Sequence, residues 1–184
     1  MRQLKRSMKP PEQIETERLI LRKPRLEDAP ILFAAYMQDP EVAHYTTWRP
    51  HQHLQQAEDF IRSCISAWEN ETRFPCIITL KEQDQPFGMI DFHIKGCTVG
   101  FGYVIASSHQ RKGYATEATR AIIDWAFQQP SIYRVNASTD IENVASRRMM
   151  EKAGMQCEGI LQKYIVHPNI SDVQRDCYMY AIVR

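Results

Sequence analysis

Apolar runs and amphipathic stretches alternate along the chain. Leu19, Ile20 and Leu21 form an apolar centre between charged ends at 17–22, the pattern of a strand, and Pro24 closes it. Between 26 and 38, apolar residues recur at Leu26, Ala29, Leu32, Phe33, Tyr36 and Met37 with helical period, and Glu27 and Asp28 fall in the first turn, where the helix dipole favours acids. Asp39-Pro40 breaks this helix and opens a loop carrying Tyr45, Trp48, Arg49 and Pro50. A second helix follows, with Leu54, Ala57, Phe60, Ile61, Cys64, Ile65 and Trp68 on one face.

Strands are then expected at 73–80, 87–94 and 98–105, the first two joined by a polar turn at 81–86 and the last two by Lys95-Gly96. An amphipathic helix starts after Gly113. A strand at 132–138, a helix at 143–153 stopped by Gly154, and strands at 155–165 and 176–183 complete the pattern. Strands first, then strand-helix-strand-helix and a closing hairpin, predict an α+β fold with helices flanking a sheet.

With 184 residues, 43% of them hydrophobic, the chain suits one core, read as a single domain at 15–184 behind a disordered basic arm at 1–14. Arg2, Lys5, Arg6 and Lys9 lie in that arm, ahead of Pro10-Pro11. Net charge is +1, from 23 basic and 22 acidic residues, so no global field draws the chain to nucleic acid or to an anionic membrane. Five scattered cysteines with no Cys-x-x-Cys spacing argue for reduced thiols in a cytoplasmic protein. No metal is expected, because the close pair His51 and His53 has no carboxylate or thiol at ligand spacing. Neither a secretory signal nor a run of about 18 apolar residues is present.

The stretch from Tyr103 to Phe127 organises the rest: a strand enters a polar loop with Gln110, Arg111, Lys112 and Gly113, which opens straight into a helix. The first N–H groups of a helix lack intrahelical partners and sit at the positive end of its dipole, so they form an anion cradle. Gly113 permits a backbone approach that a Cβ would block. Arg111 and Lys112 add positive charge at the rim.

Gln110-Arg111-Lys112-Gly113-Tyr114-Ala115 resembles the Gln/Arg-x-x-Gly-x-Gly/Ala loop of the Gcn5-related N-acetyltransferase (GNAT) superfamily, and the resemblance is nearest to the ribosomal-protein N-terminal acetyltransferase (RimJ/RimL-like) branch. Two further stretches are similar to that branch: the opening from Thr16 to Arg22 with Leu26 to Ala29, and the helix bearing Asn143, Ser146, Glu151, Lys152 and Gly154. The resemblance covers nearly all of the chain after Glu15. It implies a mixed, mostly antiparallel sheet of about seven strands and acetyl-CoA as acyl donor. It also implies that the backbone at Tyr103, Val104 and Ile105 pairs with the pantetheine amides, that the loop from Gln110 to Ala115 holds the pyrophosphate, that Asn143 contacts the cofactor arm, and that Ser146 lies near the sulfur as proton donor. Asn143 also stands where an N-cap is wanted.

Two positions depart from the family pattern: Met150 stands where many members have an acidic tyrosine, and Gly100 where the branch often has a glutamate base. Asp91 and His93, two apart on one strand, share a face; His93 is then the candidate base and Asp91 its orienting partner. No base is needed if the acceptor is an α-amine, whose unperturbed pKa of about 7.7 to 8 leaves a neutral fraction at pH 7. Trp48 and Arg49 are candidates for acceptor contact. The expected function is transfer of acetyl from acetyl-CoA to a primary amine, foremost the N-terminal α-amine of a protein or peptide such as a ribosomal protein. A polyamine or antibiotic acceptor, or a non-catalytic acyl-CoA-binding module, stands as the alternative, and both monomer and homodimer are compatible with the sequence.

Overall fold

The computed structural model describes residues 8–184. One sheet of eight strands runs in the order β1-β2-β3-β4-β5-β6-β8-β7. Its first part, β1 (Gln13–Glu15), β2 (Leu19–Arg22), β3 (Phe74–Leu80), β4 (Gln83–Lys95) and β5 (Thr98–Ile105), is antiparallel throughout. β6 (Arg134–Asp140) lies parallel to β5, and β8 (Arg175–Val183) and β7 (Gln156–Ile165) continue antiparallel beyond it. The helices are α1 (Asp28–Leu32), α2 (Pro40–Ala43), α3 (Leu54–Glu69), α4 (Tyr114–Gln128) and α5 (Val144–Lys152). A parallel neighbour needs a crossover, and α4 supplies it between β5 and β6.

α4 packs on one face of the sheet, where the Trp125 and Phe92 rings lie 5.2 Å apart, and α5 stands beside it through the Thr119–Met149 contact. α3 covers the other face. There its Cys64 lies 3.9 Å from Arg73, which pairs with Asp91, a residue on the opposite face of β4 from Phe92. At the end of α3, Trp68 is fully buried; its indole N–H donates to the Pro75 carbonyl at 2.6 Å and its ring meets Phe74 edge-on. β2 is tied to α1 by a buried bidentate pair in which Arg22 donates to both Asp28 oxygens, at 2.7 and 2.9 Å.

Several elements differ from the sequence expectation. The sheet has eight strands rather than about seven, because Gln13 and Ile14, expected in the disordered arm, join Glu15 to pair with β2. Arg2, Lys5 and Arg6 lie outside the described residues. Asp39-Pro40 does end the first helix, which widens into a π-type turn over Phe33–Met37, but it also starts α2 instead of a loop. The Asp39 carboxylate accepts from the N–H groups of Glu41 and Val42, and Pro40 takes the first helical position, where a missing N–H costs nothing. β4 begins at Gln83 rather than 87, and β6 at Arg134 rather than 132.

Candidate active site

β5 and β6 pair at three positions, Thr98 with Arg134, Val99 with Val135 and Gly100 with Asn136, and then diverge. From residue 101 onward the side of β5 that faces β6 has no ladder partner. Backbone groups on that edge are free of strand pairing, the arrangement that lets an extended chain add to a sheet. Tyr103, Val104 and Ile105, expected from the family resemblance to meet the pantetheine arm, lie on this stretch of β5.

The mouth of the fork is the start of α4. Gly113 has φ +84° and Arg111 φ +62°, and these two left-handed residues bend the loop so that successive N–H groups converge. No side chain caps α4, which leaves the amides of Tyr114 and Ala115 facing outward beside the exposed Arg111 and Lys112. Gln110 opens this loop. Its amide donates to the Ile105 carbonyl at 3.0 Å and so fixes the loop to the end of β5. Glu41, Ser107, Gln110 and Arg111 line an open depression of about 410 Å³ at this point. A larger groove of about 950 Å³ between β1 and α4 meets the fork region at Gly113 and is otherwise lined by outward residues such as Arg120 and Asp124.

On the α3 face of the fork, His93 and Asn136 flank Gly100. A Cβ built on Gly100 would lie 2.7 and 2.8 Å from Cε1 and Nε2 of His93, and 3.3 Å from Oδ1 of Asn136. The imidazole therefore occupies the space in which a side chain at residue 100 would start. Asp91 does not hydrogen-bond to His93, contrary to the expected orienting role. Its Oδ2 accepts from Arg73, and its Oδ1 has no partner among the described residues. Burial raises the Asp91 carboxyl above the ordinary range despite the Arg73 charge.

On the α4 face stands Ser146. Its N–H donates to the Oδ1 of Asn143, which caps α5, leaving the Asn143 amide NH2 outside the cap. Burial raises the pKa of the Tyr103 phenol on β5, with the Ser146 hydroxyl acting in the opposite sense. Met150 is fully buried.

The segment from Asp39 to Arg49 is tied to both prongs. Ser107, just after β5, donates to Asp39 at 2.7 Å. At the other end the Asn169 amide donates to the carbonyls of Ala43 and Trp48, at 2.6 and 2.8 Å. His167 lies 3.4 Å from the Thr46 carbonyl and 3.8 Å from Asp140, the fully buried last residue of β6, which Arg175 grips through two nitrogens. Trp48 is half-buried against Tyr36 and His51, whereas Arg49 is exposed and paired with Asp172. Asn136, Asn169 and the Asp140 cluster were not singled out by the sequence; they meet the fork through pairings that no local spacing announces.

Residues 18–156 match the family described as acetyltransferase (GNAT) domain. The chain is 33% identical over 178 residues to the uncharacterized N-acetyltransferase p20 of Bacillus licheniformis, covering 94% of this chain and 97% of that one. An acetyltransferase of the GNAT family from Bacillus anthracis, 29% identical, matches with a TM-score of 0.80 over 93% of this chain and 98% of that structure. RimL, a ribosomal L7/L12 α-N-protein acetyltransferase solved in complex with coenzyme A, is 18% identical and shares the fold at a TM-score of 0.80, over 94% of this chain and 98% of that one. The chain belongs to the GNAT family. It is an N-acetyltransferase whose fold, in a solved neighbour, holds coenzyme A. Among the described residues no group of three or more His, Cys, Asp or Glu is arranged to hold a metal, and no helix is long and apolar enough to cross a membrane.

Proposed function

We propose that the protein transfers the acetyl group of acetyl-CoA to the N-terminal α-amine of a protein or peptide by direct attack. The observation that carries this reading is the fork between β5 and β6, with the His93 imidazole seated on Gly100 and Ser146 carried by α5. The amides of Tyr114 and Ala115 and the bend at Arg111 and Gly113 take the pyrophosphate; hydrogen bonds to a charged acceptor contribute about 1.5–3 kcal/mol each. The open edge of β5 at Tyr103, Val104 and Ile105 pairs with the pantetheine amides, and the Asn143 amide reaches the same arm.

The acceptor enters from the α3 face beneath the segment carrying Trp48 and Arg49. His93 Nε2 takes a proton from the amine as its nitrogen attacks the acyl carbon; the C–S bond then breaks, the Ser146 hydroxyl passes a proton to the thiolate while water returns one to Ser146, and His93 releases its proton to solvent. His93 on Gly100 fills the place of the glutamate that the branch often carries there. An α-amine suits a site with a single weak base, since it is already partly neutral near pH 7. The fold is also the one used by RimL for α-N-protein acetylation. A small cationic amine is the second reading, favoured by the unpartnered Oδ1 of Asp91 on the acceptor face.

The test follows free thiol while purified protein is incubated with acetyl-CoA and three acceptor sets: peptides with free N-termini, the same peptides N-blocked but bearing lysine, and polyamines. Release with the free-N-terminus set alone is the expected result. Release with polyamines alone selects the second reading, and no acceptor-dependent release rejects both.

A further inference from the structure

The fork opens at the far ends of its two prongs, and the segment from Asp39 to Arg49 spans that opening as a strap. On the β5 side it is anchored where Ser107 donates to one Asp39 oxygen at 2.7 Å, while the other oxygen caps α2. On the β6 side it meets the turn at 166–174, which joins β7 to β8, and β8 pairs with β6 as far as Asp140. Sheet, strap and turn therefore close a ring around the open end of the fork. The ring lies on the α3 face, for Trp48 of the strap is 5.8 Å from the ring of His51, which meets Phe60 of α3.

The anchor on the β6 side is chiefly one side chain. Thr46 ties the strap to itself: its N–H and hydroxyl lie 2.9 and 2.8 Å from the Ala43 carbonyl, and the hydroxyl 2.9 Å from that of Trp48. These bonds are local and hold the strap to nothing else. Asn169, in the turn at 166–174, supplies the link. Its amide nitrogen carries two hydrogens, one for each of the same carbonyls, at 2.6 Å from Ala43 and 2.8 Å from Trp48. The neighbouring contacts are weaker: His167 Nδ1 is 3.4 Å from the Thr46 carbonyl, and the Arg49–Asp172 pair is exposed.

We propose that Asn169 is the latch of this ring and sets which acceptors the site takes, namely those that thread a free, extended end beneath the strap. A chain end passes through a closed ring, whereas an α-amine lying flat against a folded domain cannot bring its nitrogen to His93. A strap already held in place also spares the acceptor the cost of ordering the wall it binds. Asn169 acts through the strap and is a positioning residue; it bonds to no residue of the cofactor loop and to neither His93 nor Ser146.

The inference rests on the acetyl-transfer reading above, and its test separates the two. Two acceptors are compared: a linear peptide, and the same N-terminal residues fused without a linker to a folded domain. Wild type is expected to favour the linear peptide. Asn169→Ala is expected to raise the KM for that peptide about tenfold, the scale of two neutral hydrogen bonds, and to narrow the preference between the two acceptors. Its kcat and its calorimetric affinity for coenzyme A are expected to stay unchanged, while hydrogen exchange at 43–48 quickens. Asn169→Asp, which keeps the shape but sets carboxylate oxygens against the two carbonyls, is expected to raise KM at least as far. Ser107→Ala, at an exposed position outside the core, reads the ring from its other anchor and is expected to show the same split between KM and kcat. Wild type without turnover on any amine defeats the acetyl-transfer reading itself. Turnover of polyamines alone defeats the α-amine reading, and the polyamine KM in the same variants then decides the latch. Variants that free the strap in hydrogen exchange yet keep the acceptor KM and preference overturn the latch, as does a strap that stays protected in Asn169→Ala. Losses of kcat and coenzyme A affinity in proportion to KM, the mark of general damage, overturn it too.

Discussion

Arg18 holds Glu117 across 99 residues of sequence, donating its backbone N–H to the carboxylate at 2.8 Å and its guanidinium Nε at 2.7 Å. Thr16 adds its hydroxyl to the same carboxylate, and Arg18 Nη1 also donates to the Lys112 carbonyl at 3.1 Å. The start of α4, which forms the mouth of the fork, is therefore fastened to the turn between β1 and β2. Burial pushes the Glu117 carboxyl up, but the hydrogen bonds from Thr16 and Arg18 outweigh it and hold it below the ordinary range. A depressed carboxyl stabilises the fold above its unfolded pKa, and that stabilisation is lost as pH falls through the folded value. Glu117→Ala is expected to cost about 1–3 kcal/mol at pH 7, with the gap to wild type closing as urea melts are taken into the acid range.

Gly100→Ala would set a methyl group 2.7 Å from the His93 ring, so the ring must leave its seat. Loss of about 10²-fold in kcat/KM is expected, as for removal of a general base, with acetyl-CoA affinity unchanged. The double variant Gly100→Ala, His93→Ala should be no slower than His93→Ala, since both changes remove one function. Additive losses in steady-state kinetics would show that His93 is not what Gly100 protects.

Gly113 is held at φ +84° with the nearest obstacle to a Cβ, Arg18 Nη2, at 3.4 Å. Space therefore permits a side chain, and the cost of Gly113→Asp is conformational, about 1–2 kcal/mol, plus a negative charge at the anion cradle. Calorimetry should record at least about tenfold weaker binding of acetyl-CoA. S-acetylpantetheine, which lacks the diphosphate, should bind equally to both proteins.

Asp28 and Arg22 are almost completely enclosed, and removing Asp28 strips two hydrogen bonds from the guanidinium while leaving it paired with Asp84 at 2.7 Å. Asp28→Ala is expected to cost about 1.5–3 kcal/mol. The midpoint of a urea transition should fall while its slope stays constant.

Much of the architecture was legible because periodicity and punctuation agree. The apolar stripe of α3, the Gly113 start of α4 and the Asn143 cap of α5 each combine a local signal with a core-facing pattern. β1 escaped because Gln13, Ile14 and Glu15 offer one apolar residue in three, and the strand is defined by its pairing with β2. α2 escaped because Asp39-Pro40 punctuates in both directions, ending one helix and capping the next. In the site, the cradle could be read from consecutive residues. Two features could not: the seating of His93 on Gly100 and the diversion of Asp91 to Arg73. Each of these depends on strand register or on helix placement, quantities set by the whole core.

The three-rung join between β5 and β6 has a mechanical side. The antiparallel block from β1 to β5 and the block formed by β6, β8 and β7 are two leaves of one book, bound along a short spine. A molecule lying between the leaves and pairing with the free edge of one of them serves as extra binding. On the proposed reading the acyl donor would stitch the leaves of this protein together, and thermal resistance is expected to rise with substrate occupancy.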